Sequence, residues 1–481
     1  MKLCVLLPDY STTDVDYKHY DPPRKLAPLL PEHEVDTVLL NKLTVYRQLR
    51  DLGACDYDCF INLCEGYLEW EVPSIDVIMC LEKLQLPFTG PSSALYDPEK
   101  PVMKYVAYCQ GVDVPVGEVV HANRDLAAQA AELSARLAFP LFVKPARSGD
   151  SLGIDAQSLV HDSSELAAKL AALTADYPEV LVEEYIAGRE FTVLVSAGES
   201  EQACTVYRPL EYRFPSGRHF KTYAMKTSEL HGDCNVPCSD PDLDVRLRAA
   251  AEAVFRGFRG VGYARMDFRV NDEGRIYFLE VNFTCSVFYE DGYEGSADHI
   301  LNSDPHGKRG FLLNVVREGM ARHRRLQKCY ELRGNSKAGY GISARRDIAR
   351  DEIVFRGEER AQRIATRRWI TEHWDDAAQR DFRRYAYPLS SEVYVLWDED
   401  PAAWAPQNHS CDANTMFDGL NVVARRNIAR GEELTLDYAQ FLDDTAEPFQ
   451  CRCGSPNCRG MIHGSAGNTL AQRESVLRSP R

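Results

Sequence analysis

Three cysteines lie within eight residues near the C-terminus, in the stretch CRCGSPNCRG. Cys451, Cys453 and Cys458 surround a tight turn that contains glycine, proline and asparagine. Thiolate sulfur is a zinc ligand, and a closed structural zinc site takes four ligands. The stretch therefore predicts most of a zinc site. Spacing leaves the fourth ligand open, because Cys411, Cys329 or a closer residue could complete the set.

A second set of chemically capable residues lies on two largely apolar stretches, GYARMDFRV and RIYFLEVNF. They place Asp267, Glu280 and Asn282 on two adjacent predicted strands, and the alternation of a strand puts Glu280 and Asn282 on one face. Carboxylate and amide oxygens suit Mg²⁺ that bridges nucleotide phosphates. The alternative is a set of polar side chains on a solvated face of a sheet.

Two lysines precede these strands. Lys144 lies in PLFVKPARSGDSLGI, a predicted strand that runs into a Gly/Ser turn, and Lys104 lies in DPEKPVMKYVAY, a predicted helix. The turn at Ser148–Gly153 offers backbone N–H groups that could hold a phosphate, although it is not a Walker loop. The alternative is a lysine at a strand end beside a surface turn.

Composition limits the functions open to the chain. The 481 residues are 44% hydrophobic and 27% charged, which indicates a soluble globular protein. No apolar run approaches the length of a membrane span, and the first apolar run is too short for a signal peptide. The 15 mostly scattered cysteines predict reduced thiols and a cytoplasmic location.

Charge divides the chain into two parts. The net charge is −16, yet residues 326–481 hold 22 basic and 23 acidic side chains, so the acidic excess lies in residues 1–325. Neither part has the basic excess of a nucleic-acid binder. The asymmetry predicts two domains of different origin that join near residue 325. The sequence does not indicate an oligomeric state.

The elements that position these residues also differ between the two parts. Residues 1–325 alternate short apolar strands with Ala/Leu/Glu-rich helices, which is typical of an α/β protein, and a helix at about 307–325 closes this part. The remainder shows short β-like runs, and ARRDIARDEI (344–353) recurs as ARRNIARGEEL (424–434). We interpret the two copies as similar hairpins in a β-rich domain. The overall fold class is therefore α/β + β, followed after about residue 465 by a loose tail.

Residues 80–320 resemble the ATP-grasp fold of D-alanine–D-alanine ligases. The stretches that carry the resemblance are LPFTGPSS, FPLFVKPARSGDSLGI, EVLVEEYIAGREFTV and the pair GYARMDF and FLEVN. The resemblance implies a set of ATP ligands: Lys104 and Lys144 for the phosphates, Glu183 and Glu184 along the adenine edge, Ile186 for a backbone contact to the base, and Glu190 for the ribose. It also implies two Mg²⁺ ions on Asp267, Glu280 and Asn282, and Arg265 as a group that stabilises charge on the transferred phosphoryl.

The implied reaction is amide-bond formation. A substrate carboxylate attacks the γ-phosphorus, and an amine then displaces phosphate from the acyl phosphate, so that the protein positions the groups and neutralises charge. The substrate side departs from the family pattern at Asp150-Ser151, at Thr284-Cys285-Ser286-Val287 and in NLCEG (62–66). We therefore predict ATP-dependent ligation of amino acids or peptides and leave the substrate open.

The second part resembles SET-domain lysine methyltransferases with a post-SET cysteine motif. The motifs that carry this resemblance are GYG (339–341), NHSC (408–411), GEELTLDY (431–438) and CRCGSPNC, in that order. The resemblance implies an S-adenosylmethionine site formed by Gly339, Tyr340, Gly341, Asn408 and His409, with Tyr438 aligning the methyl sulfonium and the amine. It also implies that Cys411 joins Cys451, Cys453 and Cys458 around one structural zinc.

Two departures from this pattern concern the amine channel. Leu436 stands where the family often has an aromatic residue that influences the number of methyl groups. Phe355-Arg356-Gly357-Glu358, just after the first repeat, stands where the family usually has Tyr-x-Gly-Glu. Tyr385, Tyr387 and Tyr394 could line the channel instead or could be core aromatics.

These readings divide the chain into an N-terminal α/β subdomain (1–95), an ATP-grasp domain (96–325), a SET domain (326–445), a post-SET zinc motif (446–465) and the tail (466–481). We expect a bifunctional enzyme that ligates a carboxylate to an amine and methylates a lysine or another amine, for example in a protein or peptide. We expect neither a nucleic-acid nor a membrane partner. One alternative is a methyltransferase whose first part only binds nucleotide or peptide. Another is a non-enzymatic module held together by zinc.

Overall fold

The computed structural model forms two compact units, Met1–Leu326 and Gln327–Arg481. It describes residues 1–15, 19, 21–66, 71–147, 149, 152–200, 203–215, 220–221, 234–335, 339–358, 363–396 and 405–465. The expected loose tail lies outside these residues. The finer five-part division of the chain stays a prediction.

Unit 1 begins with a small parallel sheet in the order β2–β1–β3, formed by β1 (Lys2–Pro8), β2 (Glu34–Leu40) and β3 (Cys59–Asn62). Strand β1 is the apolar run that the sequence predicts as a first buried strand. Its side chains are buried from Leu3 to Pro8, on both faces of the sheet. Helices α1 (Val45–Leu52) and α2 (Ile75–Lys83) pack against this sheet.

A four-stranded antiparallel sheet follows, in the order β4–β7–β5–β6. Its strands are β4 (Gly117–His121), β5 (Leu141–Pro145), β6 (Leu159–Val160) and β7 (Glu179–Glu184). Helices α4 (Leu126–Arg136) and α5 (Ser163–Leu173) cover one face, and each begins at an aspartate whose carboxylate accepts backbone N–H groups of the first turn. Helix α3 (Lys100–Cys109) precedes this sheet in the chain.

A six-stranded sheet forms the centre of unit 1, with the order β11–β10–β8–β12–β13 and β9 beside β8. Its strands are β8 (Arg189–Ala197), β9 (Cys204–Val206), β10 (Leu210–Tyr212), β11 (Asn235–Pro237), β12 (Tyr263–Val270) and β13 (Ile276–Asn282). Helix α3 and helix α6 (Pro241–Gly257) pack on one face, where β12 contributes Ala264, Met266 and Phe268. Its intervening polar residues therefore lie on the opposite face.

Helices α7 (Ser296–Asn302) and α8 (Gly307–Leu326) complete unit 1. Phe311 and Val315 of α8 join β1, β3 and β8 in one buried cluster. The predicted closing helix is confirmed, and it extends one residue beyond the predicted end.

In the described part of unit 2, short strands form several small sheets beside two helices, α9 (Arg367–His373) and α10 (Asp376–Tyr385). The largest sheet has the order β14–β15–β23–β20, formed by β14 (Tyr330–Asn335), β15 (Gly339–Ala344), β20 (Asn408–His409) and β23 (Glu433–Leu436). The other sheets are β16–β22–β21, β17–β19–β18 and β24–β25, built from β16 (Ile353–Phe355), β17 (Arg363–Thr366), β18 (Tyr387–Pro388), β19 (Val393–Leu396), β21 (Thr415–Asp418), β22 (Asn421–Ala424), β24 (Phe449–Gln450) and β25 (Met461–Ile462).

The two sequence repeats do not form hairpins, so that interpretation is wrong. Strand β15 pairs with β14 and β23, whereas β16 pairs with β22, so the first repeat connects strands of different sheets. The second repeat does the same between β22 and β23. The repeats pair with each other instead: Ile348 and Ile428 exchange two backbone hydrogen bonds of 2.9 Å, and both side chains are buried. An isoleucine in an isolated turn has nothing to bury against, and the second copy supplies that partner.

Side chains of the two repeats also form reciprocal hydrogen bonds between the copies. Asp347 accepts a hydrogen bond from the backbone N–H of Arg430, and Asn427 accepts one from the backbone N–H of Arg350. The repeat therefore marks a local twofold arrangement that brings β15 and β23 side by side.

None of the helices in the described part of the chain is both long and apolar enough to cross a membrane.

Candidate active sites

Unit 1 contains a cleft between the four-stranded sheet and strands β12 and β13, with about 660 Å³ of empty space that is partly open to solvent. Apolar side chains form its walls, among them Phe142, Ile154 and Leu279. Seven of the residues predicted for the nucleotide or the metal line it: Lys144, Glu183, Glu184, Ile186, Glu190, Asp267 and Glu280. A cleft with apolar walls and a few convergent charged groups is typical of a small-molecule site, such as one for a nucleotide.

The two predicted phosphate lysines meet on one carboxylate. Lys144 Nζ lies 2.6 Å from Glu183 Oε1, and Lys104 Nζ lies 3.0 Å from Glu183 Oε2, with all three side chains buried. Burial lowers the pKa of Lys104 to about 8, against the opposing effect of Glu183. Burial acts to raise the pKa of Glu183, but the two ammonium groups outweigh it and hold that pKa below its usual value. Two cations against one carboxylate leave a local positive excess that favours a phosphate.

The predicted metal ligands share one face of β12 and β13. Asp267 lies directly opposite Glu280 in the strand register, and Arg265 lies opposite Asn282. Facing residues of an antiparallel pair project to the same side of the sheet, so all four side chains share that side. Asp267 Oδ1 is buried without a hydrogen bond among the described residues and lies 3.5 Å from Arg265 Nε.

These oxygens fit a hard cation. Asn282 Oδ1 accepts the backbone N–H of Thr284 at 2.9 Å and the Thr284 hydroxyl at 3.3 Å, which fixes the amide on this face. A buried carboxylate oxygen without a hydrogen bond is costly unless a cation neutralises it. Arg265 offsets part of this charge from 3.5 Å, and Mg²⁺ bound through Asp267, Glu280 and Asn282 would contact the oxygens directly.

Sequence reasoning missed two cations of the cleft. Arg269 donates to the Ile186 carbonyl at 3.0 Å and pairs with Glu190 at 3.0 Å, so it ties the predicted base and ribose contacts together. Lys221 lies 3.5 Å from Glu190. Alternation along β12 could have indicated Arg269, because it follows Arg265 and Asp267 at steps of two.

Two stretches that depart from the ligase pattern, residues 62–66 and 284–287, lie at a buried ion cluster that joins three loops. Arg24 donates to Glu65 at 3.0 Å and lies 3.2 Å from Asp21, and it also donates to the Leu63 carbonyl at 2.8 Å. Tyr289, which follows strand β13 in the chain, donates to Asp21 at 2.6 Å. The altered loop NLCEG thus contributes an acid to an ion network, whereas Asp150 and Ser151 lie outside the described residues.

Glu65 is the unusual acid of this cluster. Burial raises its pKa to about 7, although Arg24 and a hydrogen bond from Ser286 act in the opposite direction. The two departures from the ligase pattern, at residues 62–66 and 284–287, are therefore in contact with each other.

In unit 2, the predicted cofactor residues cluster where β15, β20 and β23 adjoin. Asn408 Nδ2 donates to the Tyr340 carbonyl at 3.0 Å and to Glu433 Oε1 at 2.8 Å. A Cβ on Gly341 would lie 2.7 Å from Asn408 Nδ2 and from Glu433 Oε1, so a larger residue would displace these two side chains. Gly339 adopts φ +87°, a conformation that favours glycine. Tyr340 between them is 63% exposed and available to cover a ligand.

Tyr438 lies at the start of a short 3₁₀ turn after β23, beside Phe441, Phe449 and His409. Its hydroxyl donates to the Gln407 carbonyl at 2.5 Å. Burial raises the pKa of this phenol well above its usual value, and Tyr385 acts in the same direction. The hydroxyl therefore stays protonated at neutral pH and can position groups by hydrogen bonding, but it does not act as a base.

Of the three tyrosines considered for the amine channel, two are buried in the core and one is exposed. Tyr387 and Tyr394 are fully buried, and their hydroxyls donate to the Gly419 carbonyl and to Asp443 at 2.8 and 2.7 Å. They are core aromatics with satisfied hydroxyls. Tyr385 is 54% exposed and close enough to affect Tyr438, so it remains available to a ligand.

The cysteine cluster forms as the resemblance implies. The sulfurs of Cys411, Cys451, Cys453 and Cys458 all lie within 4.8 Å of one another. Cys329 is buried elsewhere, with its thiol 3.8 Å from the Val354 carbonyl. Burial acts to raise the pKa of Cys453, but backbone hydrogen bonds lower it to about 6, which favours the metal-binding thiolate. Four convergent thiols suit one tetrahedral zinc ion.

Two family models match the chain, one in each of its two units. The family model described as D-ala D-ala ligase C-terminus matches residues 109–287, and the SET domain model matches residues 339–439. The chain thus combines a D-alanine–D-alanine ligase-type region, of the ATP-grasp fold, with a SET domain.

Individual relatives match the first unit. The chain is 30% identical to the D-alanine–D-alanine ligase of Laribacter hongkongensis over 207 residues, which is 42% of this chain and 62% of that protein. It is 28% identical over 244 residues to that of Herminiimonas arsenicoxydans, covering 49% of this chain and 69% of that one. The chain thus spans somewhat less than two thirds of the first relative.

Solved structures include the D-alanine–D-alanine ligase from Bacillus anthracis complexed with ATP, at 19% identity and a TM-score of 0.49. That likeness covers 68% of this chain and 100% of the other.

Proposed function

We propose that this chain is a bifunctional enzyme, an ATP- and Mg²⁺-dependent carboxylate–amine ligase joined to an S-adenosylmethionine-dependent methyltransferase. The observation that supports the ligase is the pairing, in one cleft, of a lysine-rich end with an acidic face. Phosphate oxygens require cations and the accompanying Mg²⁺ requires carboxylates, so the two halves of the cleft match the two parts of Mg-ATP.

In the ligase reaction, Lys104 and Lys144 hold phosphate oxygens as ATP binds, and Glu183 keeps both lysines in place. Arg269 fixes the Ile186 carbonyl and Glu190, which orients the base and ribose contacts. Mg²⁺ on Asp267, Glu280 and Asn282 would neutralise charge on the phosphates. Arg265, beside Asp267, is placed to stabilise the transferred phosphoryl.

The overall chemistry balances in two steps. A substrate carboxylate oxygen forms a bond to the γ-phosphorus as ADP leaves, and the amine of a second substrate then attacks the acyl carbon and expels phosphate. Amino acids or peptides supply both groups. The reorganised loops at Glu65 and Ser286 support a substrate other than D-alanine.

In the methyltransferase reaction, Gly339, Tyr340, Gly341, Asn408 and His409 hold the cofactor, which supplies an electrophilic methyl group. A neutral amine, such as a lysine side chain, would form the new N–C bond as the sulfonium C–S bond breaks and S-adenosylhomocysteine leaves. The hydroxyl of Tyr438 aligns the two, and the amine proton leaves to solvent. No anion develops in this reaction, so alignment by a protonated phenol suffices.

One alternative is favoured by a specific observation. Because Glu65 of the altered loop is buried and pairs with Arg24, unit 1 could bind nucleotide without ligating anything. Calorimetry that shows ATP binding without turnover would favour that alternative, whereas amide product would exclude it. A cytoplasmic location, which the mostly scattered cysteines of the sequence favour, is part of this proposal.

The experiment uses the full chain with ATP, Mg²⁺ and pools of amino acids, and separately with labelled S-adenosylmethionine and lysine peptides. We expect phosphate release with an amide product, and labelled methyl in the peptides. Phosphate release at background would contradict the ligase, and methyl transfer equal in Tyr438→Phe would contradict the assignment of Tyr438.

A further inference from the structure

Two hydrogen-bonded routes connect the cysteine cluster to the segment that carries Tyr438. In the first route, His409 Nε2 lies 3.4 Å from Cys411 Sγ, while His409 Nδ1 accepts the backbone N–H of Tyr438 at 3.1 Å. A ring nitrogen that accepts cannot carry the proton, so the neutral ring is protonated at Nε2 and donates to the sulfur. The imidazole therefore spans from a proposed zinc ligand to the Tyr438 backbone.

The second route runs through Arg459, the residue directly after Cys458. Its backbone N–H donates to Cys411 Sγ at 3.4 Å, and its guanidinium pairs with the carboxylate of Asp437. Asp437 is buried and precedes Tyr438, and its Oδ1 accepts the backbone N–H of Ala439 at 3.2 Å. This carboxylate thus caps the 3₁₀ turn in which Tyr438 is the first residue.

These contacts give Arg459 two functions at once. Its backbone belongs to the cysteine loop, and its side chain neutralises a buried acid that shapes the turn of Tyr438. A buried carboxylate without its cation is costly and tends to change its environment. Arg459 therefore links the cysteine loop to the turn that carries Tyr438.

We propose that Arg459 is a positioning residue, which acts through Asp437 to orient Tyr438 and so makes methyl transfer depend on the folded cysteine clamp. This inference rests on the proposed methyltransferase activity for its kinetic consequence, but its structural consequence can be measured without that activity. Groups that hold metal ligands or reacting residues through hydrogen bonds commonly change activity about 10–100-fold when they are removed.

The test compares Arg459→Met with Arg459→Lys in the full chain. A matched control is Arg346→Met, which removes an arginine from an exposed pair with Glu352 in the same unit. Three quantities are measured: zinc bound per chain, hydrogen exchange of the amides at 436–441, and kcat and KM for S-adenosylmethionine.

We expect Arg459→Met to keep one zinc, to exchange faster at 436–441 but not at 339–344, and to lower kcat about 10–100-fold with KM nearly unchanged. Arg459→Lys should restore part of the loss, and Asp437→Asn combined with Arg459→Met should be no worse than Arg459→Met alone. The control should resemble wild type.

Unchanged exchange at 436–441 in Arg459→Met would overturn the inference, whether or not methyl transfer is detected. Loss of zinc together with faster exchange throughout the unit would also overturn it, because Arg459 would then only stabilise the fold. If the variants show the expected hydrogen exchange but the wild-type protein transfers no methyl group, the proposed function is contradicted. The positioning role is then still supported.

Discussion

The cleft of unit 1 and the Tyr438 region of unit 2 handle charge in different ways. In the cleft, Lys104, Lys144 and Glu183 form a buried ion triad opposite the carboxylates of Asp267 and Glu280. Around Tyr438 the side chains are mostly aromatic rings, and the hydroxyl contacts a backbone carbonyl.

The chemistry explains the difference. Phosphoryl transfer moves a strongly anionic group, so its site must supply cations and a metal platform in advance. Methyl transfer from a sulfonium to a neutral amine develops no anion, so its site needs shape and alignment. The comparison predicts that charge substitutions should damage the first site, whereas geometric substitutions should damage the second.

The largest expected effect comes from breaking the geometry of the second site. Cys411→Ser, or removal of zinc with a chelator, should lower methyl transfer by more than about 1000-fold, because the clamp that adjoins His409 and Asp437 opens. ATP binding should be unchanged. Metal analysis and labelled-methyl assays measure both.

A matched variant is Cys329→Ser, whose thiol lies outside the cluster. It should retain one zinc per chain. Zinc retention by Cys411→Ser with full activity would remove Cys411 from the ligand set.

The next effect comes from removing one charge from the first site. Glu280→Gln should lower ATP-dependent phosphate release by about 1000-fold, since an amide oxygen binds and neutralises Mg²⁺ more weakly than a carboxylate. The same change at the exposed Glu273, on the turn before β13, should have little effect. Equal rates for the two variants would refute a metal role for Glu280.

A third effect follows from the pKa of Lys104, which is about 8. Bound phosphate favours the charged lysine, so ATP affinity should fall as pH rises above about 8 and should change little below it. Calorimetry between pH 7 and 9.5 should show a loss of about tenfold or more. Lys104→Arg, which stays charged, should remove this dependence, and a flat wild-type profile would contradict it.

The smallest effect concerns stability. The pKa of Glu65 is raised to about 7 in the folded protein from 4.5, so the folded state prefers the protonated acid. The stability this preference provides is fully present below about pH 4.5 and is lost as pH rises to about 7. Glu65→Gln should therefore gain stability over wild type with increasing pH, by about 3 kcal/mol at pH 8.

Thermal unfolding of unit 1 at pH 5 and pH 8 measures this difference. A variant that is less stable by the same amount at both pH values would show that Glu65 is ionised in the folded state and that its pair with Arg24 dominates.

Strand alternation and short motifs account for what the sequence predicted in unit 1. Asp267, Glu280 and Asn282 stood out because polar residues interrupt apolar strands at regular steps, and the structure places them on one face. Arg269 has the same periodicity but was missed, since nothing local separates a site arginine from a surface arginine. The pair Arg24–Glu65 joins loops that are 41 residues apart, and no local pattern reports such a contact.

Unit 2 shows a different limit. Each repeat has the composition of a hairpin, but Ile348 and Ile428 find their partners in the other copy. A local sequence pattern indicates that a residue must be buried. The tertiary structure determines which residues it packs against. The choice between Cys411 and Cys329 is of the same kind, because only proximity in space selects the sulfur that joins the cluster.

The most direct test of two separate sites is a paired assay of Asp267→Asn and Tyr438→Phe, with ADP formation and labelled methyl transfer measured on the same preparations. We predict that Asp267→Asn loses ADP formation and keeps methyl transfer, and that Tyr438→Phe shows the reverse. Loss of both activities in either variant, or of neither in both, would contradict the account.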